Sequence, residues 1–312
     1  MKKSGILLSL ILTAIVVAWS GLVEAGECDN WQTNHPDWIF CDDFESTGPL
    51  VAPGRYFDQN SPAAGGSFSV DNGVGYAGSR GVSVLFPSGS GSGTEFGSLH
   101  LAFGRNPVSS NGISTSTDFT EVYWRFYMKL ESGWAGVPQK LTRAIVFSGA
   151  DMSSATMDHL WNDNSDSGLM LDPSSCVSGS TVICSGWNDL SHYTWLGGQS
   201  GITQLFDGNH NNQWYRIEVH LKLNTPGQSD GVFEYWVDGN LEARQTGLNL
   251  RGSYTVYGIN AIYFPENYSC TGANGKHRYF DNFVVSRNPI GSYSPPGESP
   301  PFPPTQLRVV NP

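Results

Sequence analysis

The residues of this chain best suited to proton transfer and charge neutralisation lie on short segments of alternating polar and apolar character. Lys140 and Arg143 fall within four residues and can hold a carboxylate between an ammonium and a guanidinium. His159 has the side-chain type of a general base near neutral pH, and Tyr123 and Tyr263 carry hydroxyls able to donate a proton. His100 and Arg125 stand on polar strand faces and can bind an anionic or hydroxyl-rich ligand. His220, between Glu218 and Lys222, reads instead as part of a surface ion-pair row. The chain has no H-E-x-x-H zinc motif, and it offers no helix to follow the strand–turn nucleophile elbow of a serine hydrolase.

The elements that must position these groups read as strands. In EVYWRFYMKL (121–130), Val122, Trp124, Phe126, Met128 and Leu130 alternate with Tyr123, Arg125, Tyr127 and Lys129. In WYRIEVHLKL (214–223), Tyr215, Ile217, Val219, Leu221 and Leu223 alternate with Arg216, Glu218, His220 and Lys222. A period of two places each set on its own face. Further runs of this kind recur from WIFCDDF (38–44) to RYFDNFVV (278–285), and Asp238-Gly239 marks a hairpin turn. No stretch holds a helical period over three turns. Charged residues are 14% of the chain, and 37 glycines and 10 tryptophans accompany them. The expected fold is all-β, an antiparallel β-sandwich of jelly-roll type with one wet face on each sheet.

The chain divides into three parts. Residues 1–25 read as a cleavable signal peptide, with Lys2 and Lys3 ahead of an apolar run and cleavage after Ala25. Residues 26–291 form the sandwich domain. Residues 292–312, SYSPPGESPPFPPTQLRVVNP, are too rich in proline to bury a core and read as an extended tail or linker. All five cysteines follow the signal, and Cys28–Cys41 and Cys176–Cys184 are the expected disulfides of a secreted or periplasmic protein, leaving Cys270 over. A net charge of −11 argues against nucleic acid as a partner. Nothing after Ala25 asks for a membrane, and the expected state is a monomer.

The segment QWYRIEVHLKLNTPGQSDGVFEYWVDGNL (213–241) resembles the strand–loop–strand–turn signature of concanavalin A-like jelly-roll proteins, notably alginate- and glucuronan-type polysaccharide lyases. FCDDFES (40–46) resembles their first strand, EVYWRFYMKL a central strand and RYFDNFVVSRNPIG (278–291) the closing strand. The resemblance implies an extracellular polysaccharide as partner and β-elimination on a uronic-acid polymer as the reaction. In GVPQKLTRAIVF (136–147), Lys140 takes the position of the lyases' loop lysine, and in TMDHLW (156–161) His159 stands near an expected arginine. GLMLDP (168–173) has Met170 and Asp172 where two tyrosines are expected, a departure that favours the alternative of a non-catalytic, lectin-like module.

On this resemblance Lys140 and Arg143 neutralise the uronate carboxylate, His159 is the base, and Tyr123 or Tyr263 the acid. His100, Arg125, Trp161 and Trp195 bind the polymer; with Trp187 and Tyr193, the tryptophans offer rings for stacking on pyranose faces. The E-x-D-x-x-E strand of retaining glucanases on this scaffold does not occur. No cofactor is required. A structural calcium is expected where Asp42, Asp43 and Glu45 of the first strand meet Asp281 of the last, because adjoining strands would converge their oxygens.

Overall fold

A computed structural model describes residues 26–108, 112–162 and 167–293. The expected signal peptide and the tail from residue 294 lie outside the described residues. Two large sheets face each other. The eight-stranded back sheet runs Asn240–Leu248, Gly231–Val237, Trp214–Lys222, Glu121–Leu130, Lys276–Ser286, Gly81–Phe86 and Ser67–Asp71, with Trp38–Asp42 also paired to Lys276–Ser286. The ten-stranded front sheet runs Thr194–Trp195, Ser174–Ser175, Ser154–Trp161, Lys140–Phe147, Ala261–Tyr268, Glu95–Gly104 and Asp58–Asn60, with three short strands at its margins. The one α-helix among the described residues, Trp31–Asn34, has four residues, and none is long and apolar enough to cross a membrane.

The alternation in the sequence builds the core between the sheets. Val122, Trp124, Phe126, Met128 and Leu130 are buried against Leu99, Leu101, Phe103, Ala144 and Val146 of the front sheet. Asp238 and Gly239 both take positive φ and close a two-residue hairpin. Both expected disulfides are present, and Cys270 is free and buried.

The back sheet corrects three sequence expectations. Tyr123 stacks on His220 at 4.1 Å, and His220 bonds Glu121 and Glu234, each at 2.8 Å. His220 thus sits in an ion-pair row, with cross-strand Glu121 and Glu234 in place of the expected Glu218 and Lys222, and the row lies on the sheet opposite Lys140, so Tyr123 shares no face with the other proposed catalytic groups. Arg125 is fully buried on the same back sheet, where Glu27 holds its guanidinium at 2.5 Å and Asn282 bonds the other Glu27 oxygen at 2.7 Å. It cannot bind polymer at the front. The calcium set also fails to fit a metal: Asp42 pairs with Arg55, Asp43 accepts the Cys28 N–H, and Glu45 accepts the Arg80 N–H. Asp281 accepts from the Tyr76 N–H and the Ser79 hydroxyl. Protein donors in turns thus use these carboxylates, and among the described residues no group of three or more acidic, histidine or cysteine side chains is arranged to hold a metal ion.

Candidate active site

Strict alternation would put Lys140 and Arg143 on opposite faces. A bulge brings them together: Trp161 pairs with Lys140 and Leu160 with Thr142, so Leu141 is the extra residue and turns into the core. Gly97 plays a similar part in the strand Glu95–Gly104, two strands away. Its φ of +101° and the Phe68 ring, 2.6 Å from where a Cβ would stand, admit only glycine, and the irregular register brings Glu95, Ser98 and His100 to the front face.

The register then aligns one transverse row across the front sheet. Asp58 pairs with His100, His100 with Tyr263, Tyr263 with Arg143, Arg143 with His159, and His159 with Asp172. Residues directly opposite on adjoining strands share a face. Further along the same strands, Ser98 pairs with Glu266 and Glu95 with Tyr268, while Lys140 pairs with Trp161.

The electrostatics of the face are uneven. Arg143 is committed: its guanidinium pairs with Glu266 and lies under the Trp187 ring at 4.8 Å. Lys140 has no carboxylate partner among the described residues and rests over the Tyr268 ring at 4.5 Å. Burial, reinforced by the Arg143 charge, lowers its pKa. Burial, then Arg143 and Lys140, pushes His159 far down, so its imidazole is neutral at pH 7 and can accept a proton; its Nδ1 has no partner among the described residues. Burial raises Tyr263, which keeps its proton; its hydroxyl also lacks a partner among the described residues. His100 stacks on Tyr263 at 3.7 Å, with Asp58 at 3.0 Å on Nδ1 and Ser98 at 3.2 Å on Nε2.

Behind His159, Asp158 points inward, where Thr156 and the Ser174 N–H donate to it. Burial pushes it up to about 7. Its folded pKa lies above its unfolded value, so its contribution to stability is full below about pH 4 and is lost as pH rises through 7. Unfolding free energy is expected to fall by about 4 kcal/mol from this group between acid pH and about pH 8, an order-of-magnitude figure. Asp158→Asn should flatten that slope in urea titrations at several pH values. Parallel pH curves for the two proteins would contradict the assignment.

The structure therefore brings Lys140, Arg143, His159, Tyr263, His100, Trp161 and Trp195 to one face and places Tyr123 and Arg125 elsewhere. Sequence reasoning missed Asp58, Glu95, Ser98, Glu266 and Tyr268. Glu266 and Tyr268 lie beyond Pro265, where the proline and a register shift break the alternation that would have flagged them.

No protein-family model matches the chain, and no curated protein matches it by sequence. Solved structures do. The endo-β-1,4-glucuronan lyase of the fungus Trichoderma reesei superposes with a TM-score of 0.52 at 14% identity, covering 80% of this chain and 96% of that one. An alginate lyase from a Chlorella virus gives a TM-score of 0.49 at 15% identity, covering 83% of this chain and 97% of the other. The marine alginate lyase of Aplysia kurodai gives 0.49 at 17%, covering 80% and 99%. At such identities the likeness is one of fold: this chain has the jelly-roll β-sandwich seen in the glucuronan lyase structure.

Proposed function

We propose that the protein is a polysaccharide lyase that cleaves a uronic-acid polymer by β-elimination on the front sheet. The observation that carries this is the juxtaposition on one face of Lys140, which has no carboxylate partner among the described residues, with His159 and Tyr263. β-Elimination needs these three types: a cation on the C6 carboxylate, a base for the C5 proton, and an acid for the O4 leaving group.

Lys140 neutralises the carboxylate and so acidifies C5–H. Arg143, held by Glu266, fixes the local field and lowers the basicity of His159 rather than clamping substrate itself. His159 accepts the C5 proton. Tyr263 donates to O4. Tyr268, less buried and in contact with Lys140, is the second hydroxyl of the face. Trp161 and Trp195 stack on neighbouring sugars.

One observation favours the rival reading of a non-catalytic, lectin-like module. Tyr263 is completely buried, and Trp187 lies 5.4 Å from its ring, on a loop that follows the Cys176–Cys184 staple. A lyase must displace Trp187 to expose Tyr263, whereas a binding module need not.

The two separate in one assay. The chain is incubated with alginate, glucuronan and heteropolysaccharides that contain uronate, and the ultraviolet absorbance of the unsaturated product is followed, with polymer binding measured in parallel. A rising signal that disappears in His159→Ala supports elimination. Binding without any unsaturated product establishes the lectin-like module instead.

A further inference from the structure

The charges on the front face are poorly matched to a dense polyanion. Among the described residues its two cations, Lys140 and Arg143, share the face with Asp58, Glu95, Glu266 and Asp172. Glu266 already neutralises Arg143, and Asp58 is hydrogen-bonded to His100. Lys140 alone is left for a ligand carboxylate. Glu95 lies beside it in the same row as Tyr268, and one Glu266 oxygen, Oε2, is buried with no hydrogen-bond partner among the described residues. A sugar carboxylate placed one residue away from Lys140 therefore meets protein carboxylates rather than a second cation. The net charge of −11 adds a long-range repulsion of the same sign.

The rest of the face is aromatic. Trp161 and Trp195 are parallel within 4°, with ring centroids 6.5 Å apart, and His159 lies 5.2 Å from the first and 5.9 Å from the second. Trp195 and Trp187 are 42% and 38% exposed, large apolar rings held at the surface. Such rings take the C–H faces of uncharged pyranoses and gain nothing from a carboxylate.

We propose that the face reads one carboxylate at a time, so its substrate class is a heteropolysaccharide in which single uronate residues are separated by neutral sugars, with the uronate at Lys140 and a neutral sugar at Trp161 and Trp195. This rests on the uronate assignment made above and narrows it, away from the homopolymeric uronates.

The test is binding, read by tryptophan fluorescence, of three size-matched oligosaccharides to the full secreted chain: alternating uronate–neutral, all-uronate and all-neutral. Product ultraviolet absorbance is recorded in the same samples. The alternating ligand is expected to bind at least about 10-fold more tightly than either of the others at low salt. The all-uronate ligand should bind more tightly as salt rises, because screening relieves its repulsion. Glu95→Gln should raise all-uronate affinity, and Lys140→Met should reduce the alternating ligand to the all-neutral level. All-uronate binding that is equal or tighter and weakens with salt overturns the inference, as does failure of all three to bind. The expected ranking without unsaturated product leaves the inference standing and removes the lyase assignment instead.

Discussion

Lys140→Met is expected to lower kcat/KM on a uronate polymer by about 10²–10³-fold, the usual cost of removing one preorganised group that meets charge developing in a transition state. The reason is its isolation. Arg143 cannot substitute, because Glu266 holds its guanidinium. Methionine keeps an unbranched side chain of similar bulk and removes the ammonium that rests over the Tyr268 ring. The loss should fall mainly on kcat, since negative charge grows at the carboxylate as the C5 proton leaves. Stability should hold or rise, because Lys140 is a desolvated amine with no acid partner among the described residues. Steady-state kinetics beside a thermal melt check both halves. A drop in Tm that accounts for the lost activity would show that Lys140 is structural.

Glu27→Ala is expected to destabilise the fold by about 3–5 kcal/mol, the range for removing one partner of a buried ion pair. Arg125 is fully buried, and its Nε and Nη1 already lack partners among the described residues. Glu27 supplies the carboxylate at 2.5 Å and also engages Asn282. The Cys28–Cys41 disulfide holds the segment in place next to it. Without the carboxylate, a desolvated guanidinium faces the back sheet alone. Arg125→Met in the Glu27→Ala background should recover most of the loss, because the unpaired charge goes with it. Urea denaturation of the two single variants and the double variant measures this. Additive losses in the double variant would show that the pair is not coupled.

The two sheets were legible because their strands alternate. Tyr215 to Leu223 and Val122 to Leu130 needed only a period of two to name the core. Alternation does not say which sheet a polar face belongs to, and this misplaced Tyr123 and Arg125. The strand Ser154–Trp161 lay hidden to a periodicity reading because Asp158 points inward, and only the resemblance pointed to it. Lys140 and Arg143 share the front face for a reason the sequence does not display, the bulge at Leu141. The acidic set at Asp42 looked like a metal cage because composition shows carboxylates but not the turn N–H groups that occupy them.

The central claim is elimination, and the most direct measurement counts chain ends. Each β-elimination creates one new reducing end and one unsaturated uronate end, whereas hydrolysis creates a reducing end and no unsaturation. Both ends are quantified in one digest of a uronate-containing polymer. The account predicts that they appear in equal number and vanish together in His159→Ala. Reducing ends without unsaturated ends, or no new ends on a polymer that the protein demonstrably binds, would contradict it.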